Sequence, residues 1–198
     1  MKQSQTQKPG LIFIISGPSG SGKTTLLQKL LLTKDLKNIL ARPISFTTRP
    51  RRSSEKEGKD YFFLSQQQFK EQRKAKKILE WTRYLGYYYA TPKDFVEKQL
   101  KKGKHLVMCL DLKGALRIKR LYLKNAVTIF IMPPSLEALK ERIQKRCHRT
   151  RKEEIRKRLG LAERELKAAS RYDYCLLNED LAQVVRQLQN VILSKINT

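Results

Sequence analysis

The chain is expected to fold as an α/β protein with a parallel β-sheet flanked by helices, and three observations in its 198 residues predict this. An apolar β-branched run, Leu11 to Ile15, precedes a glycine-rich loop, and Leu26, Leu27, Leu30 and Leu31 follow it at helical spacing. Further strand-like runs then alternate with amphipathic stretches, the pattern of parallel strands covered by helices. The hydrophobic fraction of 40% suffices for one compact unit carrying smaller inserted lobes, and excludes a disordered chain.

The loop reads Gly17-Pro18-Ser19-Gly20-Ser21-Gly22-Lys23-Thr24-Thr25, which meets G-x-x-x-x-G-K-[ST] at every fixed position. Its glycines let successive backbone N–H groups turn inward around a phosphate at the positive end of a helix. Lys23 then reaches the β/γ-phosphates, and the Thr24 hydroxyl is the candidate protein ligand of Mg²⁺. A P-loop NTPase core follows, with residues 17–25 binding a nucleoside triphosphate at the carboxyl ends of the strands.

After the first helix, an apolar segment runs from Ile39 to Ile44. Pro50 and the polar stretch Ser53 to Asp60 then separate one strand from another at Tyr61-Phe62-Phe63, leaving an exposed basic loop between them. Gln66 to Ile78 is helix-compatible, and Ile78 to Pro92 is β-rich. A helix begins at Lys93 and ends at Gly103 as its C-cap. His105 to Leu112 and Val127 to Met132 are buried strands; Pro133-Pro134 stops the second, and Ser135 caps a helix. Arg142 to Arg158 is a cationic segment read as two helices joined by an arginine-rich hinge. Tyr174 to Leu177 is the last strand, before an amphipathic helix through Ile192.

Cys109, Cys147 and Cys175 are odd in number and lack C-x-x-C spacing, so they are expected to be reduced thiols in a cytoplasmic protein. Cys147-His148 has no further Cys or His nearby and does not read as a metal site. No run approaches the roughly 20 apolar residues of a membrane span, so no membrane partner is expected. The net charge of +25 raises the question of a nucleic-acid partner. No RNA- or DNA-reading motif accompanies it, so such a partner is not expected.

Two arginine sets are suited to phosphate chemistry. Arg49 and Arg52 lie in a loop expected near Tyr61 and Tyr89, where planar guanidinium forks would grip an acceptor phosphate at two points. Arg142 and Arg146 share a helix face and, with Arg158, would make a lid that brings positive charge over transferring phosphates.

Ser45-x-Thr-Thr-Arg49-x-x-Arg52, Glu55-x-x-Gly58-x-x-Tyr61-x-Phe63, Leu79-Glu80, Tyr89-x-Thr91, Asp111-x-x-Gly114, Pro133-Pro134-Ser135, Arg142-x-x-x-Arg146 and Asn178-x-Asp180 follow in one order. Together with the glycine loop, this series resembles the guanylate kinases from about Leu11 to Ile192. The resemblance implies phosphoryl transfer from ATP to GMP, with dGMP a further candidate acceptor and Mg²⁺ as cofactor, by a monomer or homodimer. It implies a core at residues 1–44, 93–135 and 167–198, a mixed-β GMP-binding lobe at 45–92, and a helical lid with flanking helices at 136–166. It places Ser45, Arg49, Arg52, Tyr61 and Tyr89 on the GMP phosphate, Glu80, Thr91 and Asp111 at guanine, and Asn178 at the adenine of ATP. Asn178 also reads as the N-cap of the last helix.

The base assignment has a physical reason. Guanine presents N1–H and N2–H₂ donors side by side for an ionised Glu80, while the Thr91 hydroxyl would donate to O6. Adenine offers a bare N1 acceptor there, and a desolvated carboxylate left unmatched discriminates by roughly 10⁴-fold.

The chain departs from the family pattern at three places. Ala90 stands for a glycine, Cys109 for an acid, and Arg146-Cys147-His148-Arg149-Thr150 for a turn of the Arg-Gly-Thr-Asp type. Two other readings compete: a basic nucleic-acid-binding P-loop protein, and a catalytically weak scaffold of the same fold. The retention of Lys23, Thr24, Arg142 and Arg146 speaks against the scaffold.

Overall fold

A computed structural model describes residues 9–146 and 152–198. The chain begins with β1 (Ile12–Ser16), the glycine loop, α1 (Lys23–Leu30) and β2 (Leu40–Ala41). Next come β3 (Phe46–Thr47), β4 (Phe62–Phe63), α2 (Gln66–Lys74), β5 (Ile78–Tyr84) and β6 (Tyr87–Pro92). The remainder is α3 (Lys93–Lys101), β7 (His105–Cys109), α4 (Leu112–Leu121), β8 (Ala126–Met132), α5 (Leu136–Arg146), α6 (Lys152–Lys167), β9 (Tyr174–Leu177) and α7 (Leu181–Ile196).

Among the described residues, one sheet has five parallel strands in the order β2-β7-β1-β8-β9. β1 is central, so both its faces are covered, and all five of its residues are buried. Phe13 and Ile15 pack on the face of α1 and α7, with Leu26, Leu30, Val184 and Leu188. Ile12 and Ile14 pack on the other face, with Val96 of α3 and Ile118 of α4. This two-sided burial explains a run without polar alternation. The phosphate loop leaves the carboxyl end of β1 beside the ends of β7 and β8.

A second sheet, ordered β4-β3-β6-β5, is mixed: β3 pairs with β4 in parallel and with β6 antiparallel, and β5 pairs antiparallel with β6. The β5–β6 hairpin turns at Leu85 and Gly86, both at positive φ, as a two-residue hairpin turn requires. Ser65 and Gln68 form a reciprocal capping box on α2. Ser135 Oγ accepts from Ala138 N at 3.0 Å, as the sequence indicates.

Several boundaries differ from the sequence expectation, for local reasons. The strand expected over His105 to Leu112 stops at Cys109, because Asp111 turns to cap α4, a helix the sequence reading leaves unassigned. The helix expected over Gln66 to Ile78 stops at Lys74, and Lys76 lies at φ 55. Gly103, expected as the C-cap of α3, sits one residue beyond the cap, Lys102. The N-cap of α7 is Asp180, whose Oδ1 accepts from Gln183 N at 2.7 Å, so Asn178 does not cap that helix. The segment Ile39 to Ile44 contributes only the two-residue β2. The junction of α5 and α6, residues 147–151, lies outside the described residues.

Leu30 is fully buried between β1 and α7. Leu30→Ala is expected to cost about 2–5 kcal/mol, read as a lower urea midpoint at unchanged m-value.

Candidate active site

The phosphate loop, the second sheet and helix α6 border a cavity of about 580 Å³. The loop is shaped for an anion. Gly17, Gly20 and Gly22 all have positive φ. At Gly22 a side chain is also excluded sterically, since a Cβ there would lie 2.5 Å from Asn178 Nδ2. Asn178 explains that crowding: its buried Nδ2 donates to the Ser21 carbonyl at 2.7 Å, fastening the loop to the end of β9. Lys23 Nζ donates to the carbonyls of Gly17 and Pro18 at 2.6 and 2.9 Å, which folds its charge back along the loop. Thr24 and Thr25 open the helix with their side chains exposed toward the cavity.

Opposite the loop, Glu80 lines the same cavity although only 3% of it is exposed. The Thr91 hydroxyl donates to Glu80 Oε1 at 2.6 Å. Thr91 is itself 1% exposed, and its hydroxyl proton is engaged by Glu80. Its part is to hold the carboxylate. Burial pushes the Glu80 carboxyl up to about 7; the Thr91 hydrogen bond opposes this, and the nearby Asp111 charge adds to it. Gly114 of α4 leaves the necessary room, because a Cβ there would meet Glu80 Oε2 at 2.8 Å. Asp111 accepts from Gly114 N at 2.8 Å and from the Thr82 hydroxyl at 2.6 Å, which fixes it on the cavity wall.

Of the residues expected at the GMP phosphate, Ser45, Tyr61 and Tyr89 line the cavity. Arg49 stands behind Tyr61, its guanidinium 5.6 Å from that ring's centroid, and pairs with Glu55 at 2.7 Å. Glu55 also accepts from Arg52 N at 2.9 Å. Although burial favours its neutral form, the Arg49 and Arg52 hydrogen bonds hold the Glu55 carboxyl below the usual range. Arg52 is more exposed, with Nη1 4.0 Å from Glu55. Arg142 lines the cavity from α5, and Arg158 of α6 donates to Ser19 Oγ across a long 3.4 Å. The side chain of Arg146, and the altered turn Cys147 to Thr150, lie outside the described residues.

Three features in or behind the cavity wall escaped the sequence reading. Glu55 was visible only as a motif position, although its spacing from Arg49 and Arg52 was a signal of an ion pair. Thr82 is an unmarked β-strand residue. Glu165, on α6, puts a further carboxyl in the wall; burial pushes it up to about 7, against the attraction of Lys23, with Asp111 adding repulsion. Cys109 also lines the cavity, and burial pushes its thiol up to about 11, so it stays neutral there and does not replace a carboxylate. Ala90, in place of a glycine, is buried at the same wall.

A phosphate-binding loop facing a buried carboxylate, with arginines from two further elements around them, defines a P-loop phosphotransferase that takes a second, base-bearing substrate. Comparison with known proteins makes the assignment particular. The guanylate kinase profile matches residues 10–195. A guanylate kinase of Caldanaerobacter subterraneus subsp. tengcongensis is 42% identical over 96% of this chain and 89% of its own length. One from Synechocystis is 40% identical over 97% and 98% respectively. The crystal structure of guanylate kinase from Anaplasma phagocytophilum superposes with a TM-score of 0.80 at 29% identity, covering 98% of this chain and 90% of that one. A shikimate kinase from Acinetobacter baumannii, at 13% identity and a TM-score of 0.50, shares the fold alone. The chain belongs to the guanylate kinase family, whose members are ATP-dependent nucleoside monophosphate kinases. Among the described residues, no helix is long and apolar enough to cross a membrane.

Gly114→Ala is expected to displace Glu80 and weaken GMP binding by about tenfold or more, the worth of one hydrogen bond to a charged group. ATP binding should be unchanged. Separate titrations with GMP and with a non-hydrolysable ATP analogue check this.

Proposed function

We propose that the chain transfers the γ-phosphoryl group of ATP directly to the phosphate of GMP, giving ADP and GDP. The observation that carries this reading is Glu80, a nearly buried carboxylate on the wall of the cavity that also holds the phosphate loop. A carboxylate has about four acceptor sites, and Thr91 takes one. The remainder can accept guanine N1–H and N2–H₂ together. Asp111, fixed by Thr82 and the amide of Gly114, supplies a second acceptor at the base.

The acceptor phosphate is assigned to Ser45, Tyr61, Tyr89, Arg49 and Arg52, with Glu55 orienting Arg49 before the substrate arrives. The GMP phosphate is an anionic nucleophile with no proton to remove, so the chemistry needs alignment and charge neutralisation rather than a general base. Loop amides and Lys23 hold the donor phosphates, while Arg142, Arg146 and Arg158 neutralise charge as it redistributes. Asn178 acts by keeping the loop in its anion-binding shape, which supports a place beside the ATP site without requiring contact with adenine.

The Thr24 hydroxyl lines the loop's cavity, a hard oxygen donor that suits Mg²⁺. Among the described residues no three acidic, His or Cys side chains form a cage, which fits an ion held chiefly by Thr24 and the nucleotide phosphates. When bound, Mg²⁺ supplies charge neutralisation between the β- and γ-phosphates. The reading leaves the enzyme as a monomer or homodimer without a membrane partner.

A coupled ADP-release assay with GMP, AMP, UMP and CMP offered separately is expected to give turnover on GMP alone. Glu80→Gln should lower kcat/KM for GMP by about two orders of magnitude or more; turnover on AMP equal to that on GMP would contradict the reading. The pH dependence has a definite sign. GMP needs the ionised carboxyl, so affinity is expected to fall as pH drops below about 7, by up to about tenfold per unit. Glu80→Gln should lose this component while keeping any titration of the nucleotide phosphate. Stability of the ligand-free protein moves the other way. The folded state keeps its proton between the ordinary 4.5 and about 7, so the Glu80 contribution falls across that window as pH rises.

A further inference from the structure

The four-stranded sheet has a second face that the reaction does not use. Along β5 the two-residue period sends Glu80, Thr82 and Tyr84 to the cavity and Trp81 and Arg83 to the opposite side, both exposed. On β6, Tyr89 lines the cavity, whereas Tyr88 meets Trp81 on the outer side with ring centroids 5.7 Å apart. Helix α2 seats itself on this outer side through Phe69, which stacks on Tyr88 at 4.8 Å and meets Trp81 edge-on at 6.4 Å.

The arrangement alternates guanidinium and ring across the surface. Arg73 of α2 lies over Trp81 at 5.4 Å, and Arg83 lies over Tyr88 at 5.8 Å. Trp81 remains 42% exposed, whereas Tyr87, opposite Tyr84, belongs to the other side of the sheet. Lys70, Lys74, Lys76 and Lys77 around Trp81 are exposed, against the single acid Glu71 on this stretch. Cations outnumber acids by 25 in the whole chain, a balance that attracts polyanions.

We propose that this outer face binds single-stranded nucleic acid without sequence preference. The lysines and arginines neutralise backbone phosphates, and the exposed Trp81 ring with the guanidinium planes of Arg73 and Arg83 takes unpaired bases. Charge complementarity alone fits any polyanion. The ring decides among them, because a polyglutamate chain or a lipid headgroup has no aromatic base to stack on Trp81. Sequence-independent contact also needs none of the reading motifs the chain lacks. Side chains alternate across β5 and β6, so a strand on the outer face and GMP in the cavity occupy opposite sides of the same sheet and do not compete.

Trp81 is the only tryptophan, so its emission reports on this face directly. The full chain is titrated with an oligouridylate of about 12 nucleotides, a length within the range one small domain tracks. Saturable quenching is expected, and if four phosphates are neutralised, affinity should fall roughly 50-fold between 50 and 200 mM salt. The double variant Arg73→Gln, Lys77→Gln should bind at least about tenfold more weakly while turning over GMP at the unaltered rate. Trp81→Phe, followed by anisotropy of a labelled oligonucleotide, should retain binding, and Trp81→Ala should weaken it. Any of four results overturns the proposal: no quenching at 50 mM salt, equal affinity for polyglutamate or phosphatidylserine vesicles, undiminished binding in the double variant, or displacement by saturating GMP.

Discussion

Glu80 is a carboxylate that the fold has almost removed from water, and much of the substrate-binding half of the molecule is arranged to tolerate it. Burial raises its proton affinity, which threatens the charge a guanine would need. The opposing contact is local and short: Thr91, its neighbour across the β5–β6 ladder, gives its hydroxyl hydrogen to Oε1. Space for the other oxygen comes from the core, where Gly114 of α4 is a glycine because any Cβ would strike Oε2. Glu80 is therefore placed jointly by the second sheet, through Thr91, and by α4, through Gly114.

The donor half rests on a similar joint. The phosphate loop is clamped by Asn178 from the opposite end of the chain, and Gly22 exists in part to let that amide approach. Glu165 and Arg158 reach the cavity from one helix, so α6 presents both signs of charge to the loop: a guanidinium at Ser19 and a carboxyl near Lys23. Cys109, neutral beside them, adds no charge to the acids that line the cavity.

The core was legible because its signals were local. Leu11 to Ile15 carried no alternation since β1 is buried on both faces, and the glycine loop announced its own conformation. What the sequence hid depended on tertiary partners. Thr91 reads in the sequence as a base contact, and nothing in its spacing shows the 2.6 Å bond by which it supports Glu80. Asn178 and Asp180 are two residues apart and both competent caps; α7 begins where it does because Asn178 is already engaged with the loop. Glu165 sits among ordinary charged helix residues, and nothing in its spacing shows that it faces the cavity. The outer face of the second sheet was half visible, as a run of basic residues from Arg73 to Lys77, but its alternation with rings is created by pairing β5 with β6.

The account depends most on a buried Glu80 that must ionise to accept guanine. Calorimetric titration of GMP at pH 7, repeated in buffers of different ionisation enthalpy, counts the protons exchanged on binding. With the carboxyl near half-protonated beforehand, release of roughly half a proton per GMP is expected, and Glu80→Gln should abolish most of it. Equal proton release in wild type and Glu80→Gln, or proton uptake, would contradict the claim that this carboxylate reads the base.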